Sequence, residues 1–255
     1  MIVVPMAGKS SRFRQSGFLS PKHLLPLHDF DVLYWSLKSM EVHFDNSLLI
    51  FINQKSNDDS RRIVEVCERL EVKNFEIFTI DFFTKGQAHT VYEYTSKLSD
   101  SMESEPLNIF NIDTIRPGLE FPSIPALSGW LEVFEGRGDH WSFALEDSLV
   151  ADKVVKVVEK VRISEWCSTG AYSFGSAALF NLTYTSHYTS KGPQIERYVS
   201  PLLQKLIDFG HTVTMSKIPD FAMIPCGTPV EYAHCLECDF SKLFMDHPKN
   251  SPKLL

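Results

Sequence analysis

Gly8, Lys9 and Ser10 directly follow a short apolar run at the start of the chain. Gly-Lys-Ser is how a phosphate-cradling P-loop ends. That motif also requires a glycine where this chain has Val3, inside the apolar run. The dinucleotide-binding glycine pattern fails too, because Ser10 and Phe13 stand at its second and third glycine positions. The stretch still favours an anion. A strand ending in small residues opens a turn whose backbone N–H groups face a ligand, and Gly8 lets that ligand come close to the main chain. Lys9, Arg12 and Arg14 bring charge, and Ser10 and Ser11 bring hydroxyls. Pro21-Lys22 adds a cation at the end of the next loop. Such cations beside turn amides suit a triphosphate. The competing reading is a solvated basic loop, since charge runs usually face water.

The residues around this turn resemble a known family. Pro5-Met6-Ala7-Gly8-Lys9-Ser10-Ser11-Arg12-Phe13, then Gly17-Phe18, then Pro21-Lys22-His23-Leu24-Leu25-Pro26-Leu27 looks like the signature of nucleotidyltransferases acting on sugar phosphates. More narrowly, it is similar to nucleotidyltransferase-like proteins of bacterial capsule and surface-polysaccharide gene clusters. The resemblance extends over most of the chain and implies that Ala7, Gly8, Lys9, Ser10 and Ser11 bind the nucleotide. Lys85-Gly86-Gln87-Ala88-His89 resembles the family's Gly-rich segment, which implies that Gly86 and Gln87 meet the base. Phe110-Asn111-Ile112-Asp113 resembles the strand end carrying the Mg²⁺-binding aspartate, here Asp113. Val158-Glu159-Lys160 resembles the pair that contacts the sugar and its phosphate, and Thr169-Gly170-Ala171-Tyr172 the strand behind the sugar pocket.

The implied reaction is attack of a sugar- or polyol-phosphate oxygen on the α-phosphorus of an NTP, with pyrophosphate leaving, for surface-polysaccharide precursors. A phosphate's second pKa is about 6, so the nucleophile is already largely ionised at neutral pH and needs no general base. The task is to hold two anions in line and neutralise charge in the transition state. The resemblance then gives Arg12 and Lys22 catalytic roles. Arg12 forks onto the β- and γ-phosphates; Lys22, a compact charge, suits the α-phosphate. Asp113 holds Mg²⁺, a hard cation usually bound by one or two carboxylates plus substrate phosphates. Glu159, Lys160 and Gly170 form the acceptor side, with Lys160 on the incoming phosphate. The bland alternatives are a turn-capping carboxylate for Asp113 and a solvated strand end for Glu159-Lys160.

Two residues depart from the family pattern. Ser10 replaces a glycine. Pro225, in Ile224-Pro225-Cys226-Gly227-Thr228, stands where the family carries its second metal-binding aspartate. That leaves the second ligand to Asp220, or to phosphate and water, or implies a nucleotide-binding relative without turnover. A nucleotide-sugar-dependent glycosyltransferase is a further alternative, with Asn111-Ile112-Asp113 as its metal motif. The loop Gly136-Arg137-Gly138-Asp139-His140-Trp141 reads either as a wall of the acceptor pocket or as a plain hairpin.

The elements that must hold these residues read as α/β. Strand patterns at residues 2–4, 48–52, 75–80 and 107–111 alternate with helical ones at 31–41, 59–70 (capped by Asn57 or Asp58) and 87–98. Strand patterns at 131–134, 141–145, 154–159 and 170–174 come without long helices between them. A helix at 194–209, a strand at 212–218 and a helix after Thr228 complete the chain. The expectation is a Rossmann-like mixed sheet, mainly parallel and flanked by helices, with antiparallel additions in the second half. A single domain over residues 1–247 precedes a tail at 248–255.

The net charge of -7, with no basic block, argues against nucleic acid as a partner. No apolar stretch approaches the roughly 20 residues of a membrane span. Five scattered cysteines and no visible secretory signal fit a reduced, cytoplasmic protein. Cys235 and Cys238 lack the second pair a zinc site requires. Subunit number is unconstrained, so a homo-oligomer remains open.

Overall fold

The computed structural model describes residues 1–57, 59–192 and 194–245. Nine strands form one mixed sheet: β1 (Ile2–Pro5), β2 (Leu49–Gln54), β3 (Phe75–Ile80), β4 (Leu107–Phe110), β5 (Ser128–Glu135), β6 (Ser142–Glu146), β7 (Lys153–Glu159), β8 (Trp166–Phe174) and β9 (Thr212–Ile218). Their spatial order is β3-β2-β1-β4-β8-β5-β9-β7-β6. Strands β3, β2, β1 and β4 run parallel. Beyond β4, only β5 and β9 pair in parallel; β8 runs antiparallel to β4 and β5, and β7 antiparallel to β9 and β6. A contact of Cys167 with Phe143 brings β6 back onto β8. The sheet is therefore mixed α/β, and the expectation of a mainly parallel sheet is corrected. Its contiguous parallel part is β3-β2-β1-β4, in the first half, where helices cross between strands. Among the later strands only β6 and β7 are consecutive antiparallel neighbours, joined by a short connection.

Apolar alternation explains the layers. Ile2, Val4, Leu49 and Phe51 point to one face, packing with Leu33, Leu37, Ile63 and Val66 of α2 (Val32–Lys38) and α3 (Ser60–Arg69). Val3, Ile50, Ile52 and Ile109 point to the other, against α4 (Gln87–Thr95), α5 (Ala177–Tyr188) and α6 (Ser200–Asp208). Both faces are covered, which is why these strands are continuously apolar.

The helical expectations need three corrections. The cap of α3 is Asp59, not Asn57, which lies in a short 3-10 turn; Asp58 lies outside the described residues. The helix α5 escapes the sequence pattern because it has no polar stripe. Even Thr183 is buried, its hydroxyl donating to the carbonyl oxygens of Leu179 and Phe180 at 3.1 and 2.9 Å. The helix placed at 194–209 begins only at Ser200, because the preceding backbone is used elsewhere: Arg197 N donates to Lys85 O at 2.7 Å, and Arg197 O accepts from Ala88 N at 2.8 Å. The tail proposed at 248–255 lies outside the described residues.

Candidate active site

Strand order reverses between β1 and β4: the chain runs outward to β3 and returns on the other side of β1. In open α/β sheets, ligands bind at the carboxyl ends of the strands at such a point. Here a cleft of about 630 Å³ opens there. The turn after β1 and Asp113 after β4 line it together.

The turn is shaped by two contacts. Ser10 adopts a left-handed backbone (φ 49°, ψ 36°) before the short helix Ser11–Gln15. That is a conformation glycine takes without cost, at the position where the family pattern has glycine. Its hydroxyl accepts a hydrogen bond from Lys22 N at 3.2 Å, so the two cationic segments are tied directly. Phe13, 1% exposed, anchors the helix in a satellite core with Trp35, Tyr232 and Cys235. Gly8, Lys9, Ser10, Ser11 and Arg12 line the cleft. Ala7 does not; its side chain packs in the core with Val3 and Ala88. Arg14 also turns away, donating to Lys9 O at 3.1 Å.

Lys22 Nζ forms a short ion pair with Asp113 Oδ2, with side chains 25% and 18% exposed. Next to it His23 is buried, and its Nε2 shares a hydrogen bond of 2.7 Å with Asp59 Oδ2. Asn53 donates to the other oxygen of Asp59 at 2.6 Å, fixing the segment that carries Lys22 to the start of α3.

Gly86 lines the cleft at φ 130°, and a side chain there would meet the Arg197 backbone at 2.7 Å. Gln87 donates to the side chain of Asn111, at the end of β4. A side chain on Gly170 (φ 92°) would collide with that same Asn111 amide. These contacts bring three separate sequence segments to one wall.

Glu159 and Lys160 close the other end. Glu159 Oε2 accepts from Ser142 Oγ and, at 2.8 Å, from Ser200 Oγ. Lys160 lies in a left-handed turn (φ 57°), donates to the Tyr198 hydroxyl and sits 4.3 Å over its ring. The Tyr198 hydroxyl in turn donates to Glu196. Burial, with the hydrogen bond to Glu196 next, raises the Tyr198 pKa and keeps the phenol protonated. Of the loop 136–141, His140 and Trp141 line the cleft.

This chain is similar to a solved nucleoside-diphosphate-sugar pyrophosphorylase from Vibrio cholerae RC9, with 35% identity and a TM-score of 0.85, over 93% of this chain and 100% of that one. The chain belongs to the sugar-phosphate nucleotidyltransferase family. Two more distant structures share the fold. One is a putative glucose-1-phosphate thymidylyltransferase from Bacillus anthracis (15% identity, TM-score 0.71, 95% and 97% of the two chains). The other is the inositol-1-phosphate CTP transferase from T. maritima (14% identity, TM-score 0.72, 92% and 94%). No family model and no curated protein matches the chain.

In this nucleotidyltransferase the segment bearing Pro225 keeps its place. Ile224 and Pro225 pair antiparallel with Ile115 and Thr114, and Cys226 N donates to Asp113 O at 2.7 Å. Pro225 lines the cleft; Asp220 is exposed and does not, so it is no candidate for the second ligand. The Cys226 thiol is pushed far up by its hydrogen bond with Cys235 and by burial, which leaves it inert. Among the described residues no group of three His, Cys, Asp or Glu comes together to hold a metal. The donor set nevertheless suits a hard cation bound partly by phosphates. Asp113 already holds a cationic group, Lys22 Nζ, and the space beside it at Gly227 is kept free of any side chain.

Sequence reading missed Tyr198, Glu196 and Glu231, all of which line the cleft. Only Glu231 left a signal: Thr228-Pro229-Val230-Glu231 is a capping-box pattern with proline in the first turn, which turns the glutamate back towards residue 227.

Proposed function

We propose that this protein transfers a nucleotidyl group from an NTP to a sugar phosphate or polyol phosphate, releasing pyrophosphate, in the supply of surface-polysaccharide precursors. The observation carrying this reading is the single cleft that gathers the Gly8–Arg12 turn, Lys22, Gly86–Gln87, Asp113 and Glu159–Lys160.

In this reading the turn amides and Arg12 hold the β- and γ-phosphates, and Lys22 approaches the α-phosphate. Gly86 admits the base against main chain, and Gln87, held by Asn111, borders it. Lys160 takes the acceptor phosphate, while Glu159, oriented by Ser142 and Ser200, faces acceptor hydroxyls. An acceptor phosphate oxygen forms a bond to the α-phosphorus as the bond to the bridging oxygen breaks, and the electron pair leaves with pyrophosphate. Asp113 would hold Mg²⁺, which when bound neutralises charge on the reacting phosphates.

The test is pyrophosphate release, screening CTP, UTP, GTP, ATP and dTTP with Mg²⁺ against sugar and polyol phosphates. Release that requires one NTP and one acceptor together supports the reading. Sugar transfer from a nucleotide sugar with release of a nucleoside diphosphate, or no pyrophosphate with any pair, sinks it.

A further inference from the structure

We propose that Glu231 supplies the second carboxylate of the divalent-cation site, replacing the aspartate that Pro225 lacks. The inference rests on the reading of Asp113 as a metal ligand.

The geometry begins with Gly227. A methyl group added there would lie 2.7 Å from Asp113 Oδ2 and 3.5 Å from Glu231 Oε2. Two carboxylate oxygens from distant parts of the chain thus lie beside the same residue, and the absence of a side chain at 227 lets Asp113 come close to the main chain there. Both carboxylates are partly shielded, at 18% and 19% side-chain exposure. Both carboxylates line the cleft, and the Lys22 ammonium meets Asp113.

Glu231 keeps binding capacity for a further cation. Its Oε2 accepts from Gly227 N at 2.9 Å, and its Oε1 stands 3.6 Å from His140 Nε2, outside hydrogen-bond range. A carboxylate offers about four lone-pair sites, so these contacts leave it able to bind metal. Glutamate also has the reach the position needs. It projects back from the first turn of Pro229–Cys235 to residue 227, beside the place where the missing aspartate would have stood. Pro225 itself cannot fill that role, because its side chain has no donor atom. Mg²⁺ needs one or two carboxylates and takes its other ligands from phosphate and water, so Asp113 with Glu231 completes the protein's share. With a cation on Asp113, the Lys22 ammonium would be free to face the α-phosphate.

The experiment titrates Mn²⁺ alone into the nucleotide-free full-length protein and follows free Mn²⁺ by electron paramagnetic resonance. Glu231→Gln and Asp113→Asn should each weaken binding about ten-fold or more, at least the scale of losses seen when supporting residues of a metal site are removed. Gly227→Ala should weaken it similarly, although both carboxylates remain. Asp220→Asn, which alters an exposed carboxylate outside the cleft, should bind Mn²⁺ as the wild type does. Circular dichroism of each variant separates loss of the site from loss of the fold. Wild-type affinity in folded Glu231→Gln, with loss in Asp113→Asn, overturns the role of Glu231 and leaves the transferase reading standing. Unchanged affinity in both variants, or no Mn²⁺ binding by the wild type at millimolar concentration, overturns the metal site as a whole. Pyrophosphate release is measured separately and decides the transferase reading by itself.

Discussion

The Ser10 hydroxyl accepts a hydrogen bond from Lys22 N at 3.2 Å, joining the turn after the first strand to the next cationic loop. Ser10 bears a left-handed backbone to make this contact. Two substitutions separate the costs. Ser10→Ala keeps the strained backbone and loses the bond, so it should destabilise by about 1 kcal/mol. Ser10→Gly loses the same bond but relieves about 1 kcal/mol of left-handed strain, so its stability should stay near wild type. Both should raise KM for NTP several-fold, since both free the Lys22 loop. Urea unfolding and pyrophosphate-release kinetics check the two halves. An unchanged KM in both would remove the tie from any functional role.

The Lys22–Asp113 pair lies in the open cleft with side chains 25% and 18% exposed, so breaking it should cost only modest stability. Its catalytic weight should be large. Lys22→Ala should lower kcat about 10²–10³-fold, the scale of losing one preorganised contact to developing charge. Asp113→Asn should abolish turnover while keeping the fold. Circular dichroism and single-turnover kinetics test this, and wild-type turnover by Asp113→Asn would sink the assignment of Asp113.

The first half of the sheet was legible because β1, β2 and β4 are short apolar runs with turn residues behind them, and burial on both faces requires that composition. The phosphate turn was legible for a related reason: Gly8, Lys9 and Ser10 are chemically odd directly after such a run. The helix Ala177–Tyr188 was not, because its exposed face carries Ala178 and Leu182 beside Thr185 and Ser186 and so shows no polar stripe. Tyr198 and Glu196 were invisible for another reason. They lie in an irregular segment whose place is set by backbone bonds of Arg197 to Lys85 and Ala88, and backbone bonds leave no mark on side-chain pattern. Glu231 carried a helix-cap signal, but its nearness to Asp113 depends on Ile224–Pro225 pairing with Thr114–Ile115, a contact across the whole chain.

Behind the cleft, Arg116 and Glu132 form a buried pair, 9% and 2% exposed, with Arg116 Nε and Nη2 both donating to the carboxylate. Burial raises the Glu132 pKa, and the Arg116 charge opposes that rise. Arg116→Met would leave the carboxylate buried and uncompensated, a loss of about 3–5 kcal/mol. The double variant Arg116→Met/Glu132→Leu should recover most of it, because no buried charge remains. Chemical denaturation of the two proteins gives the comparison. Equal stability of the single and double variants would show that the pair's charge is not what matters.

Acid should destabilise the protein before its carboxylates titrate. Burial pushes His187 down to about 4, with the charges of Lys191 and Lys205 adding to it and Asp208 opposing. Lys191 Nζ lies 2.6 Å from His187 Nε2, a contact that only a neutral imidazole accepts. His89 is lowered as well, first by burial, and its Nδ1 accepts from Lys85 N at 3.0 Å. The unfolded chain takes up these protons near the ordinary histidine value of 6.5, while the folded chain refuses them. The stabilisation is thus complete above that pH and erodes as pH falls towards about 4. Glu146, held low mainly by its hydrogen bond with Lys217, loses its stabilisation only below the ordinary glutamate value of 4.5, so the upper part of the window belongs to histidine. The melting temperature should fall steadily between these limits, and His187→Gln should flatten that slope while leaving behaviour at more acid pH unchanged. A His187→Gln protein with the wild-type slope would assign the acid sensitivity elsewhere.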